Sequence, residues 1–343
     1  ALLHDVGHGP LSHTTEEVMP QLSELNIKAY ESLRTDIVIG NRATDKSRQA
    51  DHEDFTIKFI TDSELASIIS TSCPDISPIH VACLIDKTLA CPDDFFRNMG
   101  FGFRSILSQI VSSEMDADRL DYLERDAYFC GTNYGRIELS WLVASATYNI
   151  VGDELFLAIN RRALYAFDDF LLARHHMHLM VYFHHKSIVY EEMLINYLAS
   201  DGCEYKLPAN INDYIRYNDF GLYEHLATVD NFWAKKIALR QPFKMVFEYH
   251  STSQSERVDK IKASLEETGM KVILASSSTR LSKYHSTSPI EKSFSIFVVD
   301  QYDHLAKPYR VEESTEIFQK YEEIRRIERV YVDPKDFKDA EAH

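Results

Sequence analysis

The sequence predicts a mainly α-helical protein with a small α+β appendage at its C-terminal end. Three observations predict it. Glycine (11) and proline (10) are scarce among 343 residues, which leaves few tight turns and argues against a β-sandwich or propeller. Apolar residues recur at helical spacing through most of the chain before Gln241. After Gln241-Pro242 short apolar runs alternate with amphipathic stretches instead. At about 100–200 residues per domain, the length fits two domains, 1–240 and 241–343.

The elements follow in order. Residues 1–26 carry a short helical pattern, and 27–50 are polar and irregular, with GNRATDKSRQ as a loop. Phe55, Ile57, Phe59, Ile60, Leu65, Ile68 and Ile69 predict helix over 52–71, broken near Thr61-Asp62-Ser63. Helices are expected over 78–90 and 94–126, the latter on Ile106, Leu107, Ile110, Val111 and Met115. Gly131 to Arg136 reads as a loop, and 147–160 as a hairpin turning at Gly152-Asp153. Residues 161–200 hold no Gly or Pro and predict one long helical stretch, with helix again over 211–239. In the appendage, strands are expected at 243–249, 271–276, 293–300 and 329–332, and helices at 256–269 and 314–327. That order, β-α-β-β-α-β, suits a ferredoxin-like layer.

Composition narrows the function classes. Fifty-three acidic against 37 basic residues give a formal charge of −16, so strong binding to a nucleic-acid backbone is not expected. No run of about 18 apolar residues predicts a membrane span, and no signal peptide is visible. The five cysteines are odd in number and form no CxxC, which reads as reduced thiols of a cytoplasmic protein. The chain opens on Ala within an apolar segment, which reads as a fragment with something missing upstream. Fifteen histidines are the unusual entry in the composition, and they cluster at positions 4, 8 and 13 and again from 175 to 185.

Three constellations carry chemistry. His4-Asp5 offers a nitrogen and an oxygen ligand at one place, suited to a first-row divalent metal, although a bare His-Asp pair is common and can simply cap a helix. Asp118, Tyr122 and Asp126 fall at i, i+4 and i+8 on one helix face, lining a cavity or forming a solvated charged face. Arg174, His178 and Tyr182 repeat the same spacing, with His185 at i+11. A guanidinium, an imidazole and a phenol on one stripe suit an anionic ligand with a sugar or ring above it, or a polar stripe satisfied within the core.

Together the strings HDVGHGPLSH, MDADRLDYLERD and RHHMHLMVYFHHKS, in that order, resemble the HD-domain phosphohydrolases. Within them the likeness is to deoxynucleoside triphosphate triphosphohydrolases, the dGTPase-like enzymes and the vertebrate enzyme with SAM and HD domains. It covers most of residues 1–235, and FVVDQY (297–302) adds a weaker echo. The resemblance implies an HD-type helical bundle and a divalent ion (Mn, Mg, Fe or Zn) held by His4, Asp5 and Asp118. The family's first metal-binding His lies upstream of the HD pair, where this chain has no residue, so a three-ligand site is expected. It further implies catalytic roles for His8, His13, Glu16, His52 and Glu53. Arg119, Tyr122, Asp126, Arg174, His178 and Tyr182 match positions that hold the triphosphate, sugar or base. Glu16 and Arg119 stand where relatives can have Asp and Lys, which keeps the charge but not the geometry.

The reaction so implied is water attack at the α-phosphorus of a dNTP, releasing deoxynucleoside and inorganic triphosphate. A protonated His13 or His52 would serve the leaving 5′-oxygen, with Glu16 and Glu53 as orienting acids. Arg119, Arg125, Arg174 and Lys186 would offset substrate charge, and Tyr182 would wall off the ribose 2′-hydroxyl. A homo-oligomer and an activating nucleotide are further expectations from the relatives. Two readings compete: an HD phosphohydrolase acting on a nucleoside monophosphate, cyclic nucleotide or guanosine alarmone, and a non-catalytic nucleotide-sensing HD module.

Overall fold

The computed structural model describes residues 1–35, 43–253, 255–279, 295–303, 305–314, 317 and 325–343. It is mainly helical, with two small sheets.

After a loop and a 3-10 helix at Ser12–Val18, the first long helix is α1 (His52–Asp62), followed by α2 (Glu64–Ser72). The break expected near 61–63 is Ser63. It ends α1 in extended backbone, and its Oγ accepts the Leu65 N–H at 3.1 Å to start α2. Helix α3 (Pro78–Ile85) is shorter than expected, because Asp86 leaves helical geometry.

The helix expected over 94–126 is three elements. A two-residue β-ladder pairs Arg97–Asn98 with Phe101–Gly102, and then come α4 (Arg104–Val111) and α5 (Ala117–Phe129). Asp116 makes the second break. Its carboxylate caps α5 by accepting the Arg119 N–H at 2.9 Å, and it also accepts the Ser113 N–H at 3.1 Å.

The expected hairpin is present as β1 (Ala146–Val151) and β2 (Glu154–Asn160), paired antiparallel from Val151↔Glu154 to Ala146↔Ile159. Gly152 opens its two-residue turn at φ +66°, where a side chain would be strained.

The single helix expected over 161–200 is divided. Helix α6 (Leu164–Met177) runs into one π-turn over His178–Tyr182, closed by an i→i+5 bond from Phe183 N–H to the His178 carbonyl at 2.8 Å. Helix α7 (His185–Leu198) then starts afresh, with the His184 ring accepting the Lys186 N–H at 3.3 Å. Absence of Gly and Pro did not reveal this break, because a π-turn needs neither. Helices α8 (Asp219–Thr228) and α9 (Phe232–Ala238) complete the helical part.

In the C-terminal part, β3 (Lys244–Ser251), α10 (Glu256–Glu267), β4 (Val272–Thr279), β5 (Phe297–Val299) and β6 (Arg325–Val332) follow. The ferredoxin-like layer does not form as expected. Three strands make an antiparallel sheet of order β3–β6–β4, while β5 joins β2 in parallel, Ile159 opposite Val298. Ile296 and Val298 are buried in the core around Phe167, Phe170 and Leu171 of α6, so apolar burial draws that strand to the helical part. The expected helix 314–327 lies mostly outside the described residues.

Alternation along the sheet explains its two-sided packing. Ile273, Ala275 and Tyr331 meet Ile188, Val189 and Met193 of α7. Leu274, Val330 and Val332 face the other way, toward Val258 and Leu265 of α10.

Candidate functional site

The HD loop is pinned to α1 by its backbone. The Thr56 hydroxyl donates to the His4 carbonyl and accepts the Gly7 N–H, both at 3.0 Å, and Tyr214 Oη donates to the Gly7 carbonyl at 2.7 Å. The approach is too close for any side chain at position 7, where a Cβ would lie 2.1 Å from the His52 carbonyl oxygen. Farther on, Leu11 and Ser12 both adopt left-handed backbone, at φ 54° and 59°. This strained turn is held by a bond from Leu11 N–H to Asp219 at 2.9 Å.

The start of α1 is equally fixed. Asp51 and Asp54 cap each other reciprocally, and the fully buried Asp54 accepts two 2.7 Å bonds from Arg48 and one from Tyr30. These bonds outweigh burial and hold the Asp54 carboxyl below its ordinary pKa. Thus His52, the first residue of α1, is presented from a rigid end.

On this frame two groups form. His4 Nε2 lies 3.3 Å from Asp5 and 4.0 Å from Asp118 at the start of α5. His4 Nδ1 is 2.6 Å from the Ala1 carbonyl. A carbonyl only accepts, so Nδ1 carries a proton, and Nε2 is the ring atom turned toward the carboxylates. One nitrogen and two carboxylate oxygens, all within 4.8 Å of one another, fit a divalent cation. The three expected ligands are therefore brought together. The bond with His8 lowers the Asp5 pKa despite burial, whereas burial raises that of Asp118.

The second group stands beside it. His8 stacks on His52 with ring centroids 3.9 Å apart, and His13 meets both edge-on at 4.8 Å. One oxygen of Glu16 accepts from His52 Nδ1 at 2.5 Å and from His13 Nδ1 at 3.1 Å. Burial opposes ionisation of Glu16, yet the two imidazole bonds outweigh it and leave its pKa lowered. With both Nδ1 atoms committed to one carboxylate, both Nε2 atoms are left for proton transfer. His8 bridges the groups, 3.6 Å from Asp5. Glu53 lies outside this cluster, half-buried on α1. The side chain of His13 is 68% exposed and borders a cavity of about 930 Å³, lined also by Tyr190, Glu191, Tyr223 and Arg240.

Helix α5 links the candidate metal group to the third constellation. Arg119 follows Asp118, and Asp126 accepts a 2.9 Å bond from Tyr182 Oη. Tyr122 and Tyr182 meet edge-on at 6.1 Å, and Tyr182 meets His178 at 5.0 Å. Burial and then the charges of Arg174 and Arg119 push the His178 imidazole down to about 4, so it is neutral near pH 7. Burial raises both phenols, with Asp126 raising Tyr182 further.

Arg174 is only 6% exposed and bonds Glu114 at 2.6 Å. His185 leaves the stripe: its carbonyl accepts from Tyr331 of the C-terminal sheet, because the π-turn rotates all that follows. Arg125 pairs with Asp121 at 3.1 Å, and Lys186 is exposed.

Sequence reasoning missed Thr56, Tyr214, Asp219 and Glu114. Glu114 was legible only as an acid beside the MDADR string, since nothing local marks it as buried. A further cluster, His80, Cys91 and Asp93, has ligand chemistry but the wrong tautomer for a metal. His80 Nδ1 accepts the Ser77 N–H, so Nε2 holds a proton and donates it to Asp93 at 3.1 Å.

Comparison with known proteins finds relatives of part of the chain and shared folds for nearly all of it. Residues 143–277 match the family model of the HD associated region. The uncharacterized YwfO of Bacillus subtilis is 31% identical over 185 residues, 54% of this chain and 32% of its own length. The uncharacterized MJ1154 of Methanocaldococcus jannaschii is 27% identical over 249 residues, 73% of this chain and 43% of its own. The chain thus spans about a third to two fifths of the curated relatives it matches. Among solved structures, a hypothetical protein from Aquifex aeolicus aligns over 99% of this chain and 77% of its own. It has a TM-score of 0.70 and 23% identity. A phosphohydrolase from Bacteroides thetaiotaomicron aligns over 97% and 78%, with a TM-score of 0.59 and 20% identity. The family match covers residues 143–277 alone, and the two solved structures share the fold of this chain. Among the described residues no helix is long and apolar enough to cross a membrane.

Proposed function

We propose that this chain is the HD-type catalytic part of a metal-dependent phosphohydrolase that cleaves deoxynucleoside triphosphates to deoxynucleoside and inorganic triphosphate. One observation carries the reading. The nitrogen-and-carboxylate group of His4, Asp5 and Asp118 adjoins a His8–His13–Glu16–His52 cluster on one side, and the α5 residue after Asp118 is a phosphate-suited arginine. The Bacteroides relative of the same fold is a phosphohydrolase, which is consistent with it.

A divalent ion held by His4, Asp5 and Asp118 would supply Lewis-acid stabilisation of charge on a phosphate oxygen. Glu16 orients His13 and His52 through their Nδ1 atoms, and the Nε2–H of one protonated ring passes its proton to the leaving 5′-oxygen. Arg119 and Arg174 offset phosphate charge. Tyr122, Asp126, His178 and Tyr182 form the wall for sugar and base. Tyr182, held by its bond to Asp126, would serve as the part of that wall that rejects a 2′-hydroxyl.

The test is to incubate the full-length gene product with each dNTP and each NTP, with Mn²⁺ or Mg²⁺, and identify the phosphate released. Inorganic triphosphate from dNTPs alone is the expected result. Orthophosphate or pyrophosphate would make the chain an HD phosphohydrolase of another kind. Binding without turnover would make it a sensing module.

A further inference from the structure

We propose that the cavity bordered by His13 is a second binding site, one for a phosphate-free deoxynucleoside, and that a deoxynucleoside lodged there covers the His13 ring. The inference rests on the reading above, which makes a deoxynucleoside the product, and it adds a product site to that reading.

The cavity has a volume of about 930 Å³, within the range of small-molecule sites. It is open to solvent: Tyr223 on its wall is 51% exposed, and the His13 side chain 68%. Three helices and the HD loop enclose it. Ser187, Tyr190, Glu191 and Leu194 fall at i, i+3, i+4 and i+7, so one face of α7 lines it. Tyr223, Leu226 and Ala227 line it from α8, and Ile237 and Ala238 from α9.

The lining sets the ligand class. Two phenol rings, Tyr190 and Tyr223, stand with Leu194, Leu226 and Ile237 as apolar surface for a planar ring. Among the described residues neither phenol is engaged by another aromatic ring. Polar groups converge on the same space. Among the described residues the side chains of Thr14, Ser187, Tyr190, Tyr223, Glu191 and Arg240 have no hydrogen-bond partner. Such hydroxyls and a carboxyl suit ring nitrogens, carbonyls and sugar hydroxyls. Charge excludes a polyphosphate. Glu191 offsets Arg240, which leaves no excess of fixed cations to meet one. Glu191 is also near enough to His13 for the imidazole to pull its pKa down, although desolvation leaves it raised. A carboxyl in that place repels phosphate and accepts a neutral sugar.

The same geometry says why the product would settle here. The proton for the 5′-oxygen comes from His13 or His52, so the freed deoxynucleoside starts beside the cavity. Once in it, the product covers His13 and leaves the wall of Tyr122, Asp126, His178 and Tyr182 open to substrate. Product inhibition should then lower kcat and leave KM unchanged.

The experiment is calorimetric titration of the full-length protein with each deoxynucleoside, with chelator present. Ala227 and Tyr223 are exposed, so substitution there should leave the fold intact. Ala227→Trp fills the cavity and Tyr223→Ala removes a ring, and each should raise the deoxynucleoside Kd about tenfold. Tyr182→Ala, on the substrate wall, should leave that Kd within about twofold. Wild-type protein that binds no deoxynucleoside would overturn the proposal, as would unchanged affinity in both cavity variants. Loss in Tyr182→Ala as large as in Ala227→Trp would place the ligand on the substrate wall and overturn it too. Deoxynucleoside binding that the cavity variants abolish, in a protein that hydrolyses no dNTP, would sink the phosphohydrolase reading and leave the cavity site standing.

Discussion

The two sides of the site are built differently. The histidine side, His4 to Glu16 with His52, is partly exposed and set on a strained loop at the edge of a cavity. The arginine side is built on the buried pair Glu114 and Arg174, which joins two helices, with Arg119 and His178 half-buried beside it. Groups that must gain and lose protons need solvent and a nearby carboxylate, whereas groups that hold fixed charge are best kept dry and tied down. On the first side, substitution should cost chemistry. On the second it should cost folding as well.

The largest expected effect is Asp5→Asn. It removes a ligand from the candidate metal group, and at least about 10²-fold loss of phosphate release is expected, with reduced bound metal by elemental analysis. Full activity in that variant would dissolve the histidine side as a centre. Arg174→Ala should destabilise the fold by about 3 kcal/mol in urea denaturation, because Glu114 loses its shorter partner inside the core. A loss under about 1 kcal/mol would erase the contrast between the sides.

His178 gives a smaller, pH-dependent effect. Its folded pKa is pushed down to about 4, below the 6.5 of an unperturbed histidine. The unfolded chain therefore binds a proton in that window that the folded chain does not, and stability falls as pH drops from about 6.5 to 4. His178→Gln should flatten this slope, by up to about 3 kcal/mol, with no change in slope above pH 7. An equal slope in both proteins would mean that burial does not hold the ring neutral. The smallest effect is His13→Ala on stability, within about 0.5 kcal/mol, since the side chain is mostly exposed. Its activity, in contrast, should drop by about 10²–10⁴-fold. A stability loss comparable to that of Arg174→Ala would show the histidine to be structural.

Much of the site was legible before the fold was known, for a physical reason. His4, Asp5, His8, His13 and Glu16 lie within sixteen consecutive residues, and the i, i+4, i+8 spacing of Asp118, Tyr122 and Asp126 survives because α5 is regular. Elsewhere the same reasoning misplaced one residue. His185 shares helical spacing with Arg174, but the π-turn at His178–Tyr182 throws it toward the C-terminal sheet. The resemblance pairs Glu53 with His52, and the carboxylate 2.5 Å from the His52 ring is that of Glu16.

The sequence by itself determined the helical class, the break near Ser63, the hairpin at Gly152 and which side chains could serve as metal ligands. All of these depend on neighbours a few residues away, through spacing, capping and turn preference. The tertiary structure alone decided that β5 pairs with β2, that Thr56 and Tyr214 hold the HD loop, and that Glu114 sits between two arginines. Those contacts join distant segments, and which ones meet is settled by how apolar faces bury against each other.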